Sequence, residues 1–270
     1  MHDDTYALGA TDAEHERLIR QAETLAPHTK RFFREAGIGE GQRVLDLGSG
    51  VGDVAMLVAR LVGPTGEVVG IERDPRSIAR ARARTADAGL KHVSFTQADA
   101  AQIKSDRLFD AAVGRFILQF IPDPVQVVRS LVELVRPGGV LAFHEVSWKP
   151  SLALTSHLPV WSALASVTRE SLERSGGNTE MGIDVYRIFL EAGLPAPAMR
   201  LEVRLDNNPN FNMWLYDLFH TLLPRTQQHG ISLAALGDLS TLRERVEAEA
   251  EASRSPIPSF GMVGAFSRRP

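Results

Sequence analysis

Val44-Leu45-Asp46-Leu47-Gly48-Ser49-Gly50-Val51-Gly52-Asp53 decides the fold. Val44–Leu47 reads as a short buried strand, the glycines as a tight turn, and Asp53–Val62 as the helix that follows. A turn of this kind needs glycine because the chain reverses sharply and the backbone must come close to a ligand. Alone, it implies only a nucleotide-type cofactor. The dinucleotide fingerprint has a third glycine, which lets the helix pack closely around a pyrophosphate. Here Gly48 and Gly50 fill the first two places, Asp53 stands in the third, and the extra glycine is Gly52. That favours a cofactor without a pyrophosphate. Asp46, just inside the turn, would attract an ammonium directly or through water and would repel a pyrophosphate. S-adenosylmethionine carries an ammonium and a sulfonium; NAD carries neither.

Outward from this loop, short apolar runs alternate with helices. Residues 11–36 read as a helix, ended by Gly37-Ile38-Gly39. Strands are expected at Val44–Leu47, Glu67–Ile71, Val93–Gln97, Asp110–Gly114 and Val140–Val146, with helices at Pro75–Ala88 and Pro124–Val135. Pro137-Gly138-Gly139 is expected as a tight turn into the fifth strand. Alternation of this kind implies βαβ units and a parallel sheet. After Trp148 the rhythm stops. Residues 150–176 read as helical, Asp184–Ala192 as a helix, and about 208–255 as one long helical stretch. Met199–Leu205 and Gly261–Phe266 alternate as strands. The expected architecture is α/β, a Rossmann-like sheet of five parallel strands plus a final β pair, with helical cap insertions. The expected segments are an N-terminal lid helix (1–40), a cofactor-binding core (41–148), a cap insertion (149–182), a core helix and strand (183–206), a second cap insertion (207–257) and a last core strand (258–270).

Further along the core, Glu72 ends the second strand, where an acid can accept from both ribose hydroxyls, with Arg73 beside it. Asp99 follows the third strand and can accept from an adenine amino group, while the amide of Ala100 can donate to the ring. In this arrangement the stretch from Val44 to about Val146 resembles class I methyltransferases. It looks most like the small-molecule group that includes the ubiquinone- and menaquinone-biosynthesis enzymes. The resemblance implies S-adenosylmethionine as cofactor, with Gly48, Ser49 and Gly50 at its methionine part, Asp46 behind them, Glu72 and Arg73 at the ribose, and Asp99 and Ala100 at the adenine. It also implies that Arg115, ending Phe109-Asp110-Ala111-Ala112-Val113-Gly114-Arg115, faces the methionine end through its backbone. Leu134-Val135-Arg136-Pro137-Gly138-Gly139 matches the family's turn before strand five. Tyr6, before the first helix, would belong to a lid over the cofactor.

Methyl transfer is an in-line displacement at a carbon already activated by sulfonium. Aligning the reactants can supply roughly 7–11 kcal/mol. A base is needed only if the acceptor must lose a proton. Plant-type O-methyltransferases place a histidine base just after strand four; here Gln119 stands there and cannot take a proton. His144, followed by Glu145 at the end of strand five, is the first candidate catalytic residue, in the region where open parallel sheets bind ligands. His220 is the second. It ends a helix whose apolar face includes Phe211, Trp214, Leu218 and Phe219. Gln119, Trp214 and Phe219 are the candidate substrate contacts. Asn208-Pro209-Asn210-Phe211 is similar to an adenine N-methyltransferase motif but lies far downstream of strand four, so it reads as a loop and helix start.

Composition narrows the classes. The 270-residue chain has a net charge of −3, which gives no basic footprint for nucleic acid. The run Arg76–Arg84 alternates with Ala and Ser as a solvated helix face does. There is no cysteine, hence no disulfide and no thiolate metal site, and no metal is expected. The first residues lack a signal-peptide core and no apolar run reaches spanning length, so a cytoplasmic protein with a small-molecule substrate and no membrane partner is expected. Homodimerisation is open. Methyl transfer to a small, partly apolar acceptor is the leading reading. The rivals are a methyltransferase-fold protein that catalyses a rearrangement or cyclisation with S-adenosylmethionine bound, and an NAD-dependent oxidoreductase.

Overall fold

The computed structural model describes residues 11–206 and 213–270. Tyr6 and the stretch from Asn208 to Phe211 lie outside the described residues. The elements in chain order are α1 (Asp12–Glu35), β1 (Arg43–Leu47), α2 (Asp53–Val62), β2 (Glu67–Glu72), α3 (Pro75–Asp87), β3 (Val93–Gln97), β4 (Phe109–Arg115), α4 (Pro124–Leu134), β5 (Val135–Ser147), α5 (Lys149–Leu154), α6 (Pro159–Arg174), α7 (Met181–Glu191), β6 (Ala198–Asp206), α8 (Trp214–Gln228), α9 (Leu242–Ser253) and β7 (Ile257–Arg268). Seven strands form one sheet in the order β3-β2-β1-β4-β5-β7-β6, and β3, β2, β1, β4 and β5 run parallel. This is a Rossmann-like α/β sheet with five parallel strands and a final β pair.

The chain divides into two compact units, and the division falls within β6 and β7 and at the end of β5. The core unit holds Ala10–Glu145, Gly182–Arg200 and Val263–Pro270. On one sheet face, Val44, Val68, Ala111, Val113, Val140 and Ala142 pack against α1, α2 and α3 through Phe33, Val54, Val58, Ile78 and Ala81. On the other face, α7 packs Phe189 edge-on against Phe143 at 6.1 Å. The helices start where the sequence provides caps. Asp74 accepts from the amides of Arg76 and Ser77 at 2.8 Å, and Pro75 occupies the first helical position of α3. Arg76, Arg80 and Arg82 of the basic run are exposed, whereas Arg84 turns in to Asp53 at 2.7 Å.

The helical unit comprises Val146–Met181 and Leu201–Met262. The carboxylate of Glu249 on α9 caps α6, accepting from the amides of Val160 and Trp161 at 2.8 Å. The chain's three tryptophans cluster here with Phe260. Ring centroids lie 6.1 Å apart for Trp148–Trp214, 5.5 Å for Trp161–Trp214 and 3.9 Å for Trp214–Phe260.

Two sequence expectations need correction. Pro137-Gly138-Gly139 does not precede strand five: β5 begins at Val135, and its pairing with β4 shifts register between Phe109 and Ala111. The residues stay in the ladder as a bulge because the end of β7 bonds to them, Gly138 N to the carbonyl of Arg269 and Arg269 N to the carbonyl of Gly139, both at 2.9 Å. The stretch from 208 to 255 is also not continuous helix. The described part is broken between α8 and α9, where Gly230 and Gly237 adopt positive φ.

Candidate cofactor site

The site lies at the carboxyl ends of the parallel strands, and the loop after β1 sets its shape. A Cβ on Gly48 would sit 2.4 Å from Cδ1 of Ile117, so only glycine lets the loop after β4 close over it. Gly50 has φ +51, and a Cβ there would meet nothing within 4 Å, so its backbone faces open space. The loop is tied to β2: Ser49 N donates to the carbonyl of Ile71 and Gly50 N to Oε2 of Glu72, both at 2.9 Å. Oε1 of Glu72 accepts from the amides of Arg73 and Asp74 at 2.8 and 3.0 Å. Glu72 therefore organises the turn as well as facing the site. Arg84 fastens the far side, donating to the carbonyl of Val51 at 2.6 Å.

Asp46 pairs in register with Val113, and Arg115 with His144, so Asp46, Arg115 and His144 share one sheet face. Asp46 is fully buried, and neither carboxylate oxygen has a hydrogen-bond partner among the described residues. Burial holds its carboxyl well above the usual range, opposed by the Arg115 charge and by the backbone amide of Ala55 in the first turn of α2. The hydroxyl of Ser49 is likewise buried without a partner. Arg115 donates through Nη1 to the hydroxyl of Thr29 on α1 at 3.2 Å, and that hydroxyl lies 3.2 Å from Nδ1 of His144. Burial pulls the Arg115 guanidinium down, opposed by Asp53 and Asp46.

An unpartnered buried carboxylate is costly. Arg115, with a single hydrogen bond among the described residues, interacts electrostatically with Asp46, and the two form an incompletely satisfied acid–base pair. This set fits a zwitterionic amino-acid group: an ammonium for Asp46 and a carboxylate for Arg115. It does not fit a pyrophosphate, which Asp46 would repel.

His144 is 2% exposed, and its ring stacks at 5.1 Å on Phe32 of α1. It is embedded against α1 through Thr29 and Phe32. Its neighbour Glu145 points to the opposite face. Oε1 of Glu145 accepts from the amides of Ile117 and Leu118, both at 2.9 Å, while Oε2 is buried without a partner. Burial pushes its carboxyl up to about 7, against the pull of those amides. The clamped segment begins at Phe116, whose φ of 56° is uncommon for a residue with a side chain. Gln119 sits in the same short turn, buried, with its amide nitrogen donating to the carbonyl of Phe116 at 3.3 Å.

The core unit thus brings Asp46, Glu72 and Arg115 at the ends of strands, and Gly48, Ser49, Gly50, Arg73 and Gln119 in the loops that follow them, to one end of the sheet. Asp99 and Ala100 lie in the loop after β3, where Asp99 caps a short turn through the amide of Ala101 at 2.8 Å. His220, Trp214 and Phe219 belong to α8 in the helical unit. His220 is exposed, Phe219 is buried, and Trp214 donates from its indole to the carbonyl of Pro258 at 3.1 Å. Sequence reasoning missed Thr29, Ile117 and the clamping role of Glu145. Thr29 falls on the buried stripe of α1, but nothing in its spacing names Arg115 as its partner.

Residues 38–193 match the methyltransferase-domain family, and the chain belongs to it. Fold and family together define a class I S-adenosylmethionine-dependent methyltransferase. Among curated proteins, the chain is 39% identical over 130 residues to the ubiquinone/menaquinone biosynthesis C-methyltransferase UbiE of Pseudomonas aeruginosa, a match over 47% of this chain and 50% of that protein. The match thus spans about half the length of that relative. Among solved structures, a methyltransferase candidate from Bacillus halodurans aligns with a TM-score of 0.59 at 19% identity, over 89% of this chain and 97% of that one. The [4+2]-cyclase SpnF aligns at 0.53 and 18% identity, over 91% and 81%. These two likenesses show the shared fold.

Proposed function

We propose that this chain transfers the methyl group of S-adenosylmethionine to a small, partly apolar organic acceptor by in-line displacement. The observation that carries the reading is the buried, unpartnered carboxylate of Asp46 beside the guanidinium of Arg115, at the glycine loop of a methyltransferase-family sheet. The cofactor supplies a methyl carbon activated by sulfonium. Asp46 holds its ammonium and Arg115, steadied by Thr29, its carboxylate. Ser49 and the backbone of Gly48 and Gly50 line the methionine part, Glu72 and Arg73 the ribose, and Asp99 with the Ala100 amide the adenine.

His144 in this reading positions Arg115 through Thr29 rather than taking a proton from the acceptor. Gln119 cannot act as a base; in this reading the acceptor carbon, nitrogen or oxygen attacks the methyl carbon as the carbon–sulfur bond breaks, S-adenosylhomocysteine leaves, and the proton the acceptor carried passes to solvent. The UbiE relative is named for ubiquinone and menaquinone biosynthesis, which supports a quinol-like aromatic acceptor. Incubation with S-adenosylmethionine and a panel of small phenolic and quinol acceptors tests this. S-adenosylhomocysteine formed in step with one methylated product is expected, and its absence across the panel would count against the acceptor class. A second reading, favoured by the amide at Gln119, is a cyclisation or rearrangement on the same scaffold. An acceptor converted to an isomer of unchanged mass would show it.

A further inference from the structure

β6 ends the sheet, with β7 on its inner side and no strand on its outer edge among the described residues. The amide of Arg204 points inward, donating to the hydroxyl of Ser259 on β7 at 3.1 Å. Because backbone groups alternate along a strand, the N–H and C=O groups of Leu201, Val203 and Leu205 point outward. Side chains alternate as well. Met199, Leu201, Val203 and Leu205 share one face, and Leu201 and Leu205 are 48% and 51% exposed. Arg200, Glu202, Arg204 and Asp206 share the other. A long edge strand with exposed apolar side chains invites pairing with another chain, and this one carries no proline within Ala198–Asp206 to block it.

We propose that β6 pairs antiparallel with β6 of a second copy, about a two-fold axis at Val203, so that two sheets join into one. This register sets Arg200 opposite Asp206 and Glu202 opposite Arg204 on the charged face, each pair occurring twice by symmetry. On the apolar face it sets Leu201 opposite Leu205 and Val203 opposite itself. The outward backbone groups are those of the odd-numbered residues, and this register makes those residues the hydrogen-bonded pairs. The charged residues then form the closer, non-hydrogen-bonded pairs, where opposite charges interact best. Moving the centre one residue back sets Glu202 against Glu202 and Arg200 against Arg204. Moving it one forward sets Arg204 against Arg204 and Glu202 against Asp206. Both shifts bring like charges together, and centring on Leu201 or Leu205 leaves only one of the two kinds of opposite-charge pair, so the Val203 register faces the most opposite charges. Within the single chain, Arg200 is paired with Glu35 at 2.7 Å and Arg204 with Asp206; both arginines remain on the charged face and can share these partners across the axis.

The proposal is independent of the reaction catalysed. Sedimentation velocity of the full chain tests it, together with Glu202→Arg and Arg204→Glu. The parent is expected to sediment as a dimer. Each variant, by facing like charges across the axis, is expected to weaken the dimer at least tenfold and sediment as a monomer. An equimolar mixture of the two is expected to restore the dimer, because the introduced arginine of one chain then lies opposite the introduced glutamate of the other. Both variants should keep the parent's affinity for S-adenosylmethionine. A monomeric parent, a dimer that survives both substitutions, or two variants that stay apart when mixed would each overturn the proposal.

Discussion

Asp46 carries a buried carboxyl with no close hydrogen-bond partner among the described residues, and only the Arg115 charge and the backbone amide of Ala55 oppose the cost of burying it. An apolar residue would be cheaper there, and the proposed function gives the acid its use as the partner of an ammonium. Its position was legible in the sequence as an acid near the end of a strand before a glycine turn; the ammonium contact read from it there is the role proposed for it. Glu72 was read only as a ribose contact, which is the role proposed for it; its bonds to Gly50, Arg73 and Asp74 show that it also holds the turn. Glu72→Ala is therefore expected to weaken S-adenosylmethionine binding by about 10- to 100-fold, the range for losing hydrogen bonds to a charged group. Calorimetric titration reads this directly, and unchanged affinity would remove Glu72 from the site. Glu145 makes a prediction in pH. Its folded carboxyl is raised to about 7 from an ordinary value of 4.5, so its burial is tolerated fully at low pH and grows costly as pH rises through that interval. Between those limits Glu145→Gln, which keeps an acceptor for Ile117 and Leu118, should gain about 3 kcal/mol of stability relative to the parent. Urea denaturation at pH 5 and pH 8 checks the sign, and a difference independent of pH would contradict the buried carboxyl.

At the scale of elements, α2 and β3 were read from the sequence at their observed bounds, and β1 one residue short at its start, since apolar runs and caps fall where backbone geometry needs them. The start of β5 was misread, because proline and glycine usually mark a turn; here the Arg269 backbone holds them in the ladder. That partner lies more than a hundred residues away, so no local signal reports it. The cap of α6 is similar: Glu249 reaches the amides of Val160 and Trp161 from α9. Glu249→Ala leaves those amides without their acceptor. It is expected to cost about 1–2 kcal/mol, within the range for a lost helix cap. Tryptophan fluorescence during denaturation follows this unit, which holds all three tryptophans, and an unshifted midpoint would argue against the cap.

At the scale of the molecule, the first half of the chain was legible because one cofactor imposes five short motifs in fixed order on one sheet. The family match over residues 38–193 covers that same region. The second half imposes no such order. Trp148, Trp161 and Trp214 are brought together only by folding of the helical unit, so the acceptor has no comparable signature. The central claim concerns the zwitterion cradle, and it is tested by isothermal titration of the full chain and of Arg115→Met with S-adenosylmethionine and with decarboxylated S-adenosylmethionine. The parent is expected to bind S-adenosylmethionine more tightly than the decarboxylated form, and Arg115→Met to lose this preference while binding the decarboxylated form as the parent does. A parent that binds neither compound, or an Arg115→Met variant that keeps the full preference, would contradict it.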